Sequence, residues 1–487
     1  MAIAPFYKGL EIKREHVALF IILAIAFFLR VYHLGFRDFW YDEVNSFYYS
    51  QHPLNNWNPP LYWILLHFWI KVFGISEFSL RFPSLAFSFI SVFLVYLLGK
   101  RFFNPRVGIY AAVFMAFSPF HIQYAQEARP YSLSLFLSIL STYMLFMALT
   151  EKRRKFWLGF VLVTAAGFYS NINYYHIFLL IAQALCVFIL LKSKGVKKLF
   201  YFLFPMLSFL PWVPRFIEKL NWIKGGDFWW IQKPNWAILS TTMESFDFRY
   251  NAFWPQSQDF ISKMVIVLLL ILILKTLKHK NEYSNKIIVC FILFLFPTIS
   301  IFLVSKTIVS VYLIRGLIIF SPYYYFILAL GLTAINRKAM EGVLICIMVF
   351  FLSRGIFNYY GRADVKKPFK IAAKFIEDDL VKGDAIVYAG PAASPIIFYS
   401  KSMEFKRQAY LLPPNQLSDE VYQFLITKRI WFIFCPWGQE INLALSDDRN
   451  LLVAKNHLDK NFKQELARSF DNGLEVSRYV HLDAYDE

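Results

Sequence analysis

The chain has 487 residues, of which 57% are hydrophobic, 20% aromatic and only 17% charged, with a mean hydropathy of +0.44. A soluble domain carries nearer a quarter charged residues, so the composition excludes an ordinary soluble enzyme and points to a polytopic α-helical membrane protein. The formal charge of +18 invites a nucleic-acid reading, which the placement of the charges removes.

The first apolar run, Val17–Phe36, continues past Leu29 without a small-residue cleavage site. It reads as a retained first helix and not as a cleavable signal. Eleven spans account for the apolar runs, at roughly 17–36, 80–98, 106–119, 131–149, 156–172, 175–191, 198–214, 262–278, 287–304, 311–335 and 340–357. With the N-terminus in the cytoplasm, the inner segments are 1–16, 99–106, 150–155, 192–198, 275–286 and 336–341. They hold 20 Lys and Arg against 5 Asp and Glu. That bias sets topology, so the basic clusters do not call for nucleic acid. An odd span count places the C-terminus outside. The expected location is the plasma (inner) membrane, multi-pass, with a cytoplasmic N-terminus and an extracytoplasmic C-terminal domain.

The outer face then receives Arg37–Ser79, Ser118–Pro130, Asn171–Tyr174, Arg215–Ile261, the turn around Lys306 and everything after Asn358. The stretch Phe36–Ser50, FRDFWYDEVNSFYYS, sets Asp42 and Glu43 among Phe, Trp and Tyr, six residues past the first span. Asn58–Gly74, NPPLYWILLHFWIKVFG, is apolar for only 10–12 residues before Lys71. It is too short to span and reads as a helix in the outer interface. The loop Arg215–Ile261 carries Trp222, Trp229, Trp230, Trp236 and Trp254, as an interfacial belt or as a cover over substrate.

After Tyr360 the composition becomes that of a soluble domain, which divides the chain into 1–360 and 361–487. Lys367–Leu380, Ser394–Ser400 and Ser418–Lys428 read as helices, and Asp384–Tyr388 and Ile430–Cys435 as strands, the first of these after the turn Lys382-Gly383. The alternation suggests a small α/β domain with some parallel sheet. It holds no GxGxxG, Walker loop or HExxH. Cys186, Cys290, Cys346 and Cys435 have no CxxC spacing, so neither a disulfide framework nor a zinc site is indicated.

Like charges side by side and partly desolvated are how a carboxylate is tuned as a general base, which makes the Asp42–Glu43 pair the catalytic candidate. Ser118–Tyr131, SPFHIQYAQEARPY, adds Glu127 and Arg129 on the same face. Arg129 could simply neutralise Glu127, or it could bind substrate. Arg315, in VYLIRGLIIF, is an ionisable residue near the outer end of a span and so a functional candidate; Arg30 has the same standing but could snorkel. A guanidinium binds phosphate oxygens in pairs, so Arg129 and Arg315 are candidates for a phosphate clamp. His33, His52, His121 and His176 face outward without the spacing of a metal site.

The ordered set of DE after the first span, then PPLYW…FG-x-SEFSLRFPS, then SPFHIQYAQEARPYSL, then IRGLIIFSPYYYFILALGL, resembles the bacterial branch of glycosyltransferase family 39. It is similar to the dolichyl-phosphate-mannose protein mannosyltransferases and the lipid A aminoarabinose transferases, all of the GT-C fold. The resemblance covers roughly residues 17–335. It implies a hexosyl- or pentosyltransferase that takes a sugar from a polyprenyl-phosphate carrier and passes it, with inversion, to an extracytoplasmic protein, lipid or glycan. The family's catalytic acid falls on Asp42, and its phosphate-binding basic positions on Arg129 and Arg315. Asn58 stands where relatives often carry a basic residue or His before the Pro pair. Glu127, Asn58 and Tyr131 complete the expected substrate-binding set.

Such a donor already carries a good leaving group, so no cofactor is expected, although a divalent cation could take the place of an Arg. The protein must orient the acceptor, remove its proton and hold the leaving charge. A lipid-linked sugar transporter or flippase is the rival from another class. It predicts polar residues through the mid-membrane and paired broken helices, and the sequence has neither. A non-catalytic glycan-binding assembly protein would leave the DE pair dispensable.

Overall fold

The computed structural model describes residues 14–56, 58–170, 173–225, 233–247, 282–335, 337–361, 367–388, 393–402, 409–411, 429–436 and 446–481, with isolated positions 267, 270 and 406. Among them, seven helices are long and apolar enough to cross a membrane: Glu77–Phe102, Tyr131–Glu151, Tyr174–Leu191, Gly195–Gly225, Ser284–Thr307, Ile314–Thr333 and Lys338–Gly361. The chain is a multi-pass membrane protein, and these are seven of the eleven expected spans.

The other four resolve differently. The first is the helix Arg14–Val31, 18 residues that include Arg14, Glu15 and Arg30. The span expected at 106–119 is a helix of 13 residues, Pro105–Phe117, about 20 Å long against a hydrocarbon core of about 30 Å. Asn104 caps it, its side chain accepting from the Val107 N–H at 3.0 Å. Ser118 and Pro119 then start a second short helix, Pro119–Ala125. The span at 156–172 is Arg154–Phe168, 15 residues, and 262–278 lies outside the described residues. Leu61–Phe73, at 13 residues, is short as its sequence requires.

The chain separates into two compact units. One comprises Met1–Tyr32, Asn56–Tyr62 and Arg81–Tyr359; the other His33–Asn55, Trp63–Leu80 and Tyr360–Glu487. In the first unit, buried polar side chains tie the apolar helices together. Gln183 Nε2 donates to Ser141 Oγ at 3.1 Å and Thr142 Oγ1 at 3.0 Å, and Ser141 meets Thr164 Oγ1 at 2.7 Å. Bonds of this kind glue helices where lipid removes the hydrophobic drive to associate. Arg30 is fully buried. Its guanidinium donates to Ser88 Oγ at 2.9 Å and to the carbonyls of Met115 and Ala116 at 3.1 and 3.2 Å. It thereby caps the end of Pro105–Phe117, and does not snorkel.

In the second unit the segment after the first helix folds together with the tail. The described tail residues form a five-stranded sheet in the order β2-β1-β3-β5-β4. The strands are β1 Ala385–Tyr388, β2 Ala409–Leu411, β3 Ile430–Phe434, β4 Phe462–Phe470 and β5 Leu474–His481. β1 pairs in parallel with β2 and β3; β5 runs antiparallel to β3 and β4. Alternate residues of β1 and β3 serve opposite faces. Ile386, Trp431 and Ile433 pack with Phe369 and Ile376 of the helix Phe369–Glu377. Val387, Ile430 and Phe432 pack with Ala454 and Leu458 of the helix Ser446–Asn461. Burial on both faces explains why these strands read as continuous apolar runs. Gly383, with φ of +104°, makes the turn before β1 in a conformation that favours glycine. Cys435 is buried in this core. The expected helix Ser418–Lys428 lies outside the described residues.

Candidate functional site

Asp42 and Glu43 lie in the second unit, on a helix, Tyr41–Gln51, and not on an irregular loop. Trp40 precedes it in extended conformation, and the Trp40 N–H donates to Glu43 Oε2 at 3.4 Å. This is the returning half of a capping box, and both carboxylates sit at the positive end of the helix dipole. Successive helix residues point about 100° apart, so the two side chains face different ways. Glu43 is fully buried and holds the first turn; Asp42 is half-buried.

Asn58, Glu127, Arg129, Tyr131 and Arg315 lie in the first unit. Arg129 closes the tight turn between Pro119–Ala125 and Tyr131–Glu151: its N–H donates to the Glu127 carbonyl at 2.7 Å, and its carbonyl accepts from Ser84 Oγ at 3.0 Å. Glu127 is buried, with Gln123 Nε2 donating to Oε1 at 3.2 Å. Arg315 opens the 3₁₀ segment Ile314–Phe320. The guanidinium carbons of Arg129 and Arg315 each lie 5.8 Å from the centroid of the Tyr131 ring, within cation–π range. Two cations 186 positions apart in the sequence thus meet at one aromatic side chain.

A third cation was not among the sequence candidates. Lys219 Nζ donates to Asn58 Oδ1 at 2.8 Å and lies 5.8 Å from the Tyr174 ring. The Arg129 charge acts on it, and the Arg315 charge acts on Tyr174. Lys219 lies in Arg215–Ile261, so a basic residue on the less basic face was the available signal. Nearby, Arg215 Nη1 donates to the Asn56 carbonyl at 3.3 Å and its guanidinium lies 4.5 Å from the Trp212 ring. Of the loop tryptophans, Trp222 and Trp236 are exposed; Trp229, Trp230 and Trp254 lie outside the described residues. His121 is buried against Ser321 Oγ at 2.9 Å. Among the described residues no three His, Cys, Asp or Glu side chains gather as a metal site.

Tyr175 fixes the backbone that carries Arg315. Its hydroxyl donates to the Val311 carbonyl at 2.8 Å and accepts the Leu313 N–H at 2.9 Å. A Cβ on Gly316 would fall 2.5 Å from that ring, so residue 316 must be glycine for Tyr175 to reach. Gly316→Ala should destabilise the protein by about 1–3 kcal/mol through overpacking. Gly342→Ala, with nothing within 4 Å of its new Cβ, should instead stabilise its helix by roughly 0.5–1 kcal/mol. Thermal unfolding in detergent checks both; equal shifts in the two variants would refute the steric account.

A family model described as dolichyl-phosphate-mannose-protein mannosyltransferase matches residues 57–217. Those bounds take in Asn58, Glu127, Arg129 and Tyr131, and leave out Lys219 and Arg315. Among solved structures, ArnT from Cupriavidus metallidurans bound to undecaprenyl phosphate superposes with a TM-score of 0.61 at 11% identity, over 94% of this chain and 97% of that one. The chain has the GT-C fold. The apo form of the same ArnT gives a TM-score of 0.60 at 10% identity, with the same coverages. A third structure with the GT-C fold, the Archaeoglobus fulgidus oligosaccharyltransferase with Zn and sulfate, gives 0.52 at 12% identity, over 86% of this chain and 68% of that one. No curated protein sequence matches the chain.

Proposed function

We propose that the protein is a membrane glycosyltransferase that moves a sugar, with inversion, from a polyprenyl-phosphate carrier to an acceptor outside the cytoplasm. The observation that carries this reading is the convergence of Arg129 and Arg315 on Tyr131. Positive charge concentrated at one aromatic surface suits a phosphate, and the guanidinium forks suit its oxygens. Structural neighbours hold undecaprenyl phosphate and a dolichol-phosphate, which supports a carrier of that class here. Asp42 accepts the proton of the acceptor hydroxyl or amine as its oxygen or nitrogen bonds to the anomeric carbon. The bond from that carbon to the phosphate oxygen breaks, and the cations hold the charge left on the carrier phosphate. One displacement inverts the anomeric centre.

The test is mass spectrometry of outer-surface glycans, proteins and lipids from cells with and without the active protein. One sugar increment should disappear while the lipid-linked sugar accumulates; unchanged surface species and an unchanged lipid-linked pool would overturn the proposal. The orientation follows from the basic inner loops. A reporter active only in the cytoplasm, fused after Glu487, should stay silent, and a signal would reverse the topology.

A further inference from the structure

The tail grips the segment that carries Asp42 at its entry and along its side. At the entry, the Lys370 N–H donates to Asp38 Oδ2 at 2.9 Å, and the Phe39 N–H donates to the Tyr399 hydroxyl at 2.6 Å. The Tyr399 hydroxyl in turn donates to Glu77 Oε1 at 2.9 Å, and Glu77 pairs with the Lys370 ammonium. The Tyr399 ring stacks on Phe39 at 6.3 Å and 13°, with the Lys370 ammonium 5.2 Å from its centroid. Along the side, Ser394 Oγ donates to Asn45 Oδ1 at 3.1 Å, and Phe398 meets Phe47 edge-on at 5.3 Å. Both residues belong to the tail helix Ala393–Tyr399.

The geometry points to Tyr399 as a positioning residue that sets Asp42 from outside the helix Tyr41–Gln51. Its hydroxyl holds the main chain three residues before Asp42, where a rotation of the backbone would swing every side chain of the first turn. Burial pushes the Tyr399 hydroxyl up, so it stays protonated and keeps its donor bond to Glu77. The tail then takes part in turnover through geometry, without chemistry of its own. This inference rests on the proposed role of Asp42.

The test uses the purified full-length chain in detergent, with two probes. Undecaprenyl phosphate measures carrier binding. The tritiated lipid-linked sugar pool extracted from the producing cells measures sugar release and transfer. Tyr399→Phe keeps the ring and its stacking and loses only the hydroxyl. It should keep undecaprenyl phosphate affinity and KM and lower kcat by about 10- to 100-fold, the scale of a misplaced catalytic group. In an Asp42→Asn background the same change should lower kcat no further, because both act through one step. Full kcat in Tyr399→Phe, with Asp42→Asn inactive, overturns the positioning role and leaves the proposed function standing. Equal multiplicative losses in both backgrounds, together with a lowered Tm, also overturn it, since they mark a general structural role. An Asp42→Asn protein that keeps transferring sugar removes Asp42 as the base, and with it the role on which this inference rests.

Discussion

Asp42→Asn should lower turnover by about 10²–10⁴-fold while leaving undecaprenyl phosphate binding nearly unchanged. The substitution keeps the shape of the side chain and removes its basicity. Asp42 is the half-buried member of the pair in the first turn of Tyr41–Gln51, whereas Glu43 is enclosed and bonded to the Trp40 N–H. Glu43→Gln should therefore cost less in turnover and more in thermal stability, because it removes a negative charge from the positive end of the helix dipole. Steady-state transfer and a melting curve on each variant separate the two roles. If Asp42→Asn keeps near-native rates while Glu43→Gln or Glu127→Gln is inactive, the base has been assigned to the wrong carboxylate.

Replacing both Arg129 and Arg315 with Ala should abolish measurable binding of undecaprenyl phosphate. Each guanidinium sits at the Tyr131 ring and each is held by its own main-chain anchor, Ser84 for Arg129 and Tyr175 for the segment before Arg315. Arg→Lys keeps the charge and loses the fork. It should cost about 1–3 kcal/mol at whichever position binds two oxygens at once. Lys219→Ala should weaken binding in the same assay and should leave the melting temperature nearly in place. Unaltered affinity in the double Ala variant would transfer the phosphate to other groups and remove the central support for the proposed function.

The sequence made the membrane class, the short helix Leu61–Phe73 and the strands β1 and β3 readable, because each depends on local apolar length. It also singled out Arg129, between two spans, and Arg315, near the end of one, as cations where the charge bias does not call for them. Three features escaped it for identifiable reasons. Tyr41–Gln51 has no apolar stripe of helical period; its end is capped by Glu43 and its side is packed by Phe398, a residue 351 positions beyond Phe47. The strands β4 and β5 carry charged residues on an edge hairpin, so FKQELARSF did not read as a strand. Lys219 joined Asn58 through a contact between segments 161 positions apart, which no local pattern announces. For the helix and for Lys219 a partner distant in the sequence decides the conformation or the role.

Arg30 has a consequence for how the chain is made. A guanidinium left in a solitary membrane helix costs roughly 2.5–3.5 kcal/mol on insertion scales. Its acceptors here include the carbonyls of Met115 and Ala116 and the hydroxyl of Ser88, all synthesised well after it. The Ala26 carbonyl of its own helix takes one N–H at 3.1 Å, and the remaining bonds of the guanidinium wait for later segments. The first helix thus reaches its full set of hydrogen bonds only once residues 88 to 116 have been added.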